Sequence, residues 1–205
     1  MRRTAALLMC AALSVLAQTK AINDWRVVPG VRVGPITATT TRADLARLFG
    51  EGNLEDGPVE VGEGFEEPAT IVYSTDPSRA LAVFWRGEGT GRLARSVDMC
   101  GMSSKPCRWR TAEGISMGTD LKTLEKYNRR PFKMAGFGWD YSGTVTSWEG
   151  GRLDAPRGRL LVRLEPRKGS SVDDDLDGDR DFISSHAPLQ RLNPVVYAFI
   201  VEFGR

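Results

Sequence analysis

The second half of the chain shows a helical spacing of hydrophobic residues. Leu121, Leu124 and Tyr127 follow one another at three-residue intervals, which places them on one face of a helix. Thr119 precedes them as a candidate N-cap, and Pro131 prevents the helix from continuing. The pattern predicts a helix of about ten residues that ends before the proline.

An aromatic hairpin is expected next. Phe137, Trp139 and Tyr141 alternate with small or polar residues, so a strand would point all three side chains to one side. A second strand is predicted at Thr144–Trp148, where β-branched residues follow a Ser-Gly turn.

A similar helix is predicted in the first half. Leu45, Leu48 and Phe49 form an apolar stripe, and Thr41 and Asp44 have the spacing of a capping box. Further strands are predicted at 81–85, 93–99, 159–164 and 194–203. Apolar residues occupy both sides of the last of these segments, which indicates a strand in the interior of a sheet.

The two helical regions match at a constant offset of 79 residues. The matches are Ile36 with Ile115, Thr37 with Ser116, Thr40 with Thr119, Leu45 with Leu124, and Leu48 with Tyr127. A tandem repeat of one α-β-β-β unit explains them. We therefore predict an α+β fold of two similar helix-plus-antiparallel-sheet units, at 22–108 and 109–205, that could join into one continuous sheet. The second unit would include an acidic loop at 169–181 and the C-terminal strand.

The chain begins as exported proteins do. Two arginines at positions 2 and 3 precede a short apolar run that ends near Ala17, which is the order of a secretory signal peptide. Residues 1–21 are assigned to this signal peptide, with cleavage after Ala17 or Ala21, and a periplasmic or secreted location follows. In the alternative interpretation, Cys10 is the lipid-modified residue of a lipoprotein.

The charge balance excludes one class of partner. Removal of Arg2 and Arg3 leaves 26 of the 28 basic residues, equal to the 26 acidic residues. A near-neutral protein lacks the basic stripe that neutralises a row of phosphates, so nucleic acid is not an expected partner. No other apolar run in the sequence reaches the length of a membrane span.

Two cysteines follow the signal peptide, Cys100 and Cys107. An even number of cysteines in an exported protein favours a disulfide, and the turn-rich residues between them allow the loop to close. The alternative is a metal or redox pair, but the spacing fits neither zinc nor thioredoxin-like motifs. We predict a structural disulfide.

The helix start and the aromatic segment also resemble a known family. The residues that carry the resemblance are Ile115, Gly118, Thr119, Leu124, Trp139 and Tyr141, and in the first half Ile36, Thr40, Leu45 and Gly50. They resemble the small outer-membrane assembly lipoproteins of the BamE/SmpA type, and the tandem arrangement resembles that of β-lactamase inhibitor protein. The segment at 129–143 is also similar to uncharacterised exported bacterial proteins. The resemblance implies a helix-on-sheet scaffold that is used for protein contacts.

An acidic segment is the candidate for binding an ion. Its alternating carboxylates are Asp173, Asp175, Asp177 and Asp179. With Gly178 they match the first half of an EF-hand calcium loop, but position twelve of that loop falls on Ser184 instead of glutamate. Weak calcium binding and a solvated acidic linker both remain open.

The aromatic hairpin is the candidate binding surface. Phe137, Trp139 and Tyr141, with Trp148 on the neighbouring strand, could form a platform for a peptide or a sugar. The alternative is that these side chains form core, since large apolar residues in strands are more often buried. With an exposed platform, the chain would be a non-catalytic exported binding or envelope-interaction module with a protein or peptide partner.

Catalysis is the weakest functional hypothesis. His186 is the only histidine, so a hydrolase with a histidine base would have to use it. The sequence contains no Gly-x-Ser-x-Gly elbow, phosphate-binding loop or histidine-based metal motif. We therefore predict a protein that is not an enzyme and has no cofactor, with weak calcium binding as the open alternative.

Overall fold

The computed structural model describes residues 23–62, 64–101, 106–154 and 158–204. The predicted signal peptide and Cys10 lie outside these residues. The helices within them are α1 (Arg42–Phe49), α2 (Leu121–Asn128) and α3 (Ala187–Leu192). The strands are β1 (Arg26–Val28), β2 (Arg32–Val33), β3 (Ile36–Thr37), β4 (Leu54–Gly62), β5 (Phe65–Val72), β6 (Leu81–Arg86), β7 (Leu93–Met99), β8 (Arg110–Thr111), β9 (Lys133–Ala135), β10 (Val145–Ser147), β11 (Gly158–Glu165), β12 (Asp181–Ile183) and β13 (Val195–Phe203).

Six strands form one antiparallel sheet in the order β11-β13-β7-β6-β5-β4. Strands β4 to β7 are consecutive along the chain and pair as hairpins. Strand β13 lies between β11 and β7, with Val201 opposite Val97. The prediction of an interior strand near the end of the sequence is confirmed.

Two smaller sheets complete the described fold. One has the order β3-β2-β1-β8, in which β1 and β8 are parallel, and the other has the order β10-β9-β12. A bridge between Thr144 and Arg163 connects the start of β10 to β11. The second small sheet therefore adjoins the β11 edge of the large sheet.

One face of the large sheet forms the core together with the helices. Val83, Val97 and Val201 on adjacent strands are completely buried. Leu45 of α1 and Leu124 of α2 belong to the same buried cluster. Full burial of each such side chain stabilises the fold by about 1.5–3 kcal/mol, so this face contributes to the hydrophobic stabilisation of the fold.

Helix α1 begins at the predicted capping box. Thr41 accepts from the N–H of Asp44, and the Asp44 carboxylate accepts from the N–H of Thr41 at 2.9 Å. Helix α2 is capped by Asp120 and not by the predicted Thr119, because the Asp120 carboxylate accepts from the N–H of Thr123 at 2.9 Å. Thr119 instead accepts from the backbone N–H three residues before it, which closes the turn that precedes the helix.

The predicted fold class, α+β with two similar helix-plus-sheet units, is wrong. The structure is mostly β, with 40% strand against 18% helix, and its strands fall into three sheets. The halves are alike locally, since the turns before α1 and α2 contain the same side-chain hydrogen bond, at 2.9 and 3.0 Å. After the helices they differ, because α1 leads into long consecutive hairpins whereas β9 and β10 are short and lie in another sheet. None of the helices in the described ranges has the length and apolar character that crossing a bilayer requires.

The predicted aromatic strand at 137–141 is also wrong. Phe137 makes an isolated bridge to Asp177, and the residues after it form a bend and a turn. Gly143 has a positive φ, and a side chain at this position would collide with the carbonyl oxygen of Leu164. Close backbone packing therefore turns the chain where alternation alone predicted an extended strand. The second strand of the predicted hairpin is confirmed as β10.

The disulfide prediction is confirmed. Cys100 and Cys107 are bonded, their Cα atoms lie 5.9 Å apart, and both residues are buried. The bridge fixes the chain just after β7 and before the buried Trp109.

Removal of this disulfide should lower the free energy of unfolding. The double variant Cys100→Ala with Cys107→Ala frees a short loop in the unfolded chain, and the loop-entropy relation gives a loss of about 2.5 kcal/mol. Urea denaturation of the wild type and the variant measures the difference. The two proteins should become equally stable in the presence of a reducing agent. A difference that persists under reduction would assign the loss to packing and not to the bridge.

Candidate functional site

The candidate site lies on the face of the large sheet opposite the core. Asp98 pairs with Ala82 on one side and with Ile200 on the other, and all three alternate with buried core residues along their strands. Phe84 lies on the same face, two residues after Ala82 on β6. Leu161 also lies on this face, opposite Ile200. A cavity of about 410 Å³ lies on this face, and we call it the sheet cavity.

The lining of the sheet cavity combines apolar and charged residues. The apolar lining residues are Val61, Phe84, Leu161, Ala198 and Ile200. The charged lining residues are Glu60, Glu67, Arg95, Asp98, Arg163 and Glu202. Residues near the turn between β4 and β5 belong to this lining, so that hairpin borders the cavity on one side.

Asp98 is the unusual group of this site. Its Oδ1 atom is buried and has no hydrogen-bond partner, although the residue as a whole retains some exposure. Burial raises the pKa of Asp98 to about 7, and the backbone N–H of Met99 offsets only part of that effect. At neutral pH the carboxyl group therefore exchanges between its protonated and ionised forms.

Ion pairs satisfy most of the other charges around the cavity. Arg95 contacts Glu67 at 2.5 Å, and Glu202 contacts Arg159 at 2.6 Å. Among the described residues, Asp98 takes part in no salt bridge. Among the described residues that line the cavity, Glu60 and Arg163 also take part in no salt bridge, but Asp98 is the carboxyl group with a buried, unpartnered oxygen.

Two β-bulges place further side chains in the cavity. Arg95 is the extra residue where the pairing of β6 with β7 shifts, and Tyr197 is the extra residue where the pairing of β11 with β13 shifts. Both residues line the cavity. A bulge redirects a side chain that regular alternation would send to the other face, so these two irregularities give the cavity its cationic and phenolic groups.

Arg163 carries a second unsatisfied atom. Its guanidinium lies 5.7 Å from the ring centre of Tyr197, and one terminal nitrogen donates to the carbonyl oxygen of Asp140. Its Nε atom is buried and has no hydrogen-bond partner. Two lining residues of the cavity therefore carry unpartnered polar atoms, one a donor and one an acceptor.

The four aromatic residues predicted to form a binding face do not share one surface. Phe137 and Trp148 are buried, and the Nε1 of Trp148 donates to the carbonyl oxygen of Leu160 at 3.1 Å. The rings of Trp139 and Tyr141 pack edge to face with their centres 5.4 Å apart, and Tyr141 is 57% exposed. A binding role for these residues stays a prediction.

Two of the four acidic residues proposed as calcium ligands, Asp173 and Asp177, make local contacts through their carboxylates. Asp173 accepts from the N–H of Asp175 at 3.3 Å and pairs with Arg191 at 3.5 Å. Asp177 accepts from the N–H of Gly178 at 3.0 Å. Within the ranges that the structure describes, no three His, Cys, Asp or Glu residues are grouped to hold a metal ion. Calcium binding by Asp173, Asp175, Asp177 and Asp179 stays a prediction.

His186 lies before α3 and stacks on Phe182, with ring centres 5.8 Å apart. The neighbouring Ser184 donates to the carboxylate of Glu125 at 2.5 Å and accepts from the N–H of Phe132 at 2.9 Å. These contacts give Ser184 a structural role, because it connects α2 to the chain before β9 and after β12.

The pH dependence of stability should report the buried state of Asp98. The unfolded chain ionises this group at a pKa of about 3.9, whereas the folded protein retains the proton to about pH 7. Folding then binds a proton between these values, so the contribution of Asp98 to stability is present below about pH 4 and is lost as the pH rises to about 7. Relative to Asp98→Asn, which cannot titrate, the wild type should lose several kcal/mol over this interval, at about 1.4 kcal/mol per pKa unit.

Urea denaturation of both proteins at several pH values measures this difference. Other carboxyl groups titrate equally in the two proteins and cancel. The surface variant Asp174→Asn is the matched control and should follow the wild type. If the stability curves of Asp98→Asn and the wild type ran parallel, Asp98 would not have the raised pKa.

Sequence patterns identified the strand that carries Asp98 but not the residue. The signal was present, since Asp98 is an acidic residue between Val97 and Met99 in a segment that reads as a buried strand. Buried acidic residues without a partner are rare, so an acidic residue in such a strand is a signal of a candidate functional site. Comparisons of the chain with family models, with curated proteins and with solved structures found no match. The resemblance to the BamE/SmpA type thus depends on the residues given above and on nothing else.

Proposed function

We propose that this protein is a non-catalytic, exported binding module whose ligand is a small amphipathic molecule held in the sheet cavity. The observation that carries the proposal is the buried, unpartnered Oδ1 of Asp98, a residue that lines a partly apolar cavity of about 410 Å³. An unsatisfied buried acceptor costs about 1–3 kcal/mol. Such a cost is common at functional sites, where a ligand supplies the missing partner.

The size and lining of the cavity support a small molecule. Ligand pockets of about 300–1,000 Å³ that combine apolar walls with a few polar groups are typical of small-molecule sites. Phe84, Leu161 and Ile200 provide the apolar contacts, and Asp98 and Arg163 provide the polar ones. This lining favours a small ligand over the protein or peptide partner that the sequence predicts.

The polar groups of the cavity favour binding over catalysis. Ser96 is the hydroxyl group nearest in sequence to Asp98, and it does not donate to Oδ1. A nucleophile without a hydrogen bond to its base is not activated. The carboxylates of Glu67 and Glu202 are each paired with an arginine, so their charges are balanced by these ion pairs.

Two observations support export. The amino-terminal residues have the pattern of a secretory signal peptide. The disulfide between Cys100 and Cys107 is of a kind that persists in oxidising compartments. A periplasmic or secreted location is part of the proposal.

Binding of an uncharged fluorescent probe tests the cavity directly. N-phenyl-1-naphthylamine should gain fluorescence when it enters the cavity of the wild-type protein. The variant Leu161→Glu places a charge among the apolar residues, so the affinity for the probe should fall by about tenfold or more. Fluorescence titration measures both dissociation constants.

The matched control is Val31→Glu, which introduces the same side chain at an exposed position between β1 and β2. This variant should bind the probe as the wild type does. Absence of probe binding, or an equal loss in both variants, would contradict the proposed site. Circular dichroism and thermal melting confirm that the variants remain folded.

A further inference from the structure

Two residues that line the sheet cavity carry a buried polar atom without a partner, the acceptor Oδ1 of Asp98 and the donor Nε of Arg163. We propose that the ligand carries a protonated amine that pairs with Asp98 and an oxygen acceptor that pairs with the Nε of Arg163, joined by an apolar linker. This inference rests on the proposed function and names the chemical class of its ligand.

The surroundings of Asp98 favour a cation. Its cross-strand neighbours Ala82 and Ile200 are apolar and supply no counter-charge. Arg95, a nearby cation of the cavity, is engaged by Glu67 at 2.5 Å. A hydrogen bond from a charged donor to a carboxylate is about twice as strong as a neutral one, and the effect increases where water is excluded. An ammonium group therefore gains more from Asp98 than a hydroxyl group does.

The surroundings of Arg163 favour an acceptor. The guanidinium is held by stacking over Tyr197 and by donation to the carbonyl oxygen of Asp140. These contacts use its ring-facing surface and a terminal nitrogen, and they leave Nε without a partner. Because a guanidinium carries only donors, the complementary ligand group is an oxygen such as that of a carboxylate.

The sheet register sets the length of the ligand. Arg163 pairs with Ala198 and Asp98 pairs with Ile200, so the two polar residues are two strands apart and offset by two residues. Strand spacing and rise place their Cα atoms roughly 12 Å apart. Ala198 and Ile200 of the intervening strand β13 lie between them, and Leu161 of β11 lies beside Ile200, which favours an apolar linker.

The ionisation of Asp98 gives the inference a pH signature. The groups that pair with it from β6 and β13, Ala82 and Ile200, do not titrate. The other charged or titratable groups of the cavity are Glu60, Glu67, Arg95, Arg163, Tyr197 and Glu202. Since burial raises the pKa of Asp98 to about 7, the carboxylate that an amine requires is mostly absent at pH 6 and mostly present at pH 8.

Displacement of N-phenyl-1-naphthylamine by four probes of equal chain length tests the proposal on the wild-type protein. Octylamine should displace the fluorophore at lower concentration than octanol or octanoate. Its affinity should be about tenfold higher at pH 8 than at pH 6, because the ionised fraction of Asp98 changes by that factor. 8-Aminooctanoate should bind about fivefold tighter than octylamine, through one added charge-assisted hydrogen bond to Arg163.

Two variants assign these preferences to their residues. Asp98→Asn should remove the preference for octylamine over octanol and its pH dependence, whereas Asp174→Asn should retain both. Arg163→Met should remove the advantage of 8-aminooctanoate over octylamine, whereas the surface variant Arg152→Met should retain it. The ratios of affinities within one protein are compared, so a change in overall stability does not imitate the result.

The outcomes separate the ligand class from the proposed function. If the fluorophore binds in the cavity but octylamine and octanol displace it equally at both pH values, the amine assignment is overturned and the binding function stands. If 8-aminooctanoate binds no better than octylamine, the assignment of an acceptor to Arg163 is overturned. Failure of the fluorophore itself to bind would overturn the proposed function.

Discussion

The pairing of β7 with β13 is the interaction on which the rest of the structure depends. It joins the hairpins β4 to β7 to strand β11 and so creates one sheet from segments that are far apart in sequence. The same register sends Val97 and Val201 into the core and places Asp98 beside Ile200 on the other face. A slip by one residue would exchange the two sets of side chains. The hydrophobic core and the sheet cavity are therefore two results of a single register.

Local sequence patterns predicted the elements that local interactions determine. The start of α1 follows from Thr41 and Asp44, and the segment predicted as a strand at 93–99 is β7. Strand β4 and the first part of β5 were missed, because many of their side chains are polar and exposed and these strands are held mainly by backbone pairing. Helix α3 was not predicted, although its Pro188 lies in the first turn, where a helix tolerates proline.

The candidate site could be predicted less well from local patterns, because it depends on long-range register. Asp98 was visible as an acidic residue in an apolar strand, but its neighbours Ala82 and Ile200 come from other parts of the chain. The bulges that turn Arg95 and Tyr197 into the cavity leave no clear mark in the sequence. The aromatic alternation at 137–141 was misleading, since the close approach of Gly143 to Leu164 requires a turn there. The fold class failed for a related reason, because likeness at the helix starts did not extend to the strands after them.

The interior position of β13 also bears on the order of assembly. It is the last strand along the described chain, yet both of its backbone edges are occupied, by β11 and by β7. A partly synthesised chain without it leaves two unmated strands, each a template for aggregation. Contacts of such high sequence separation also form slowly, because loop closure precedes any gain from pairing. This topology therefore favours protection of the nascent polypeptide, by a holding chaperone or by delayed folding, until residues 195–203 have emerged.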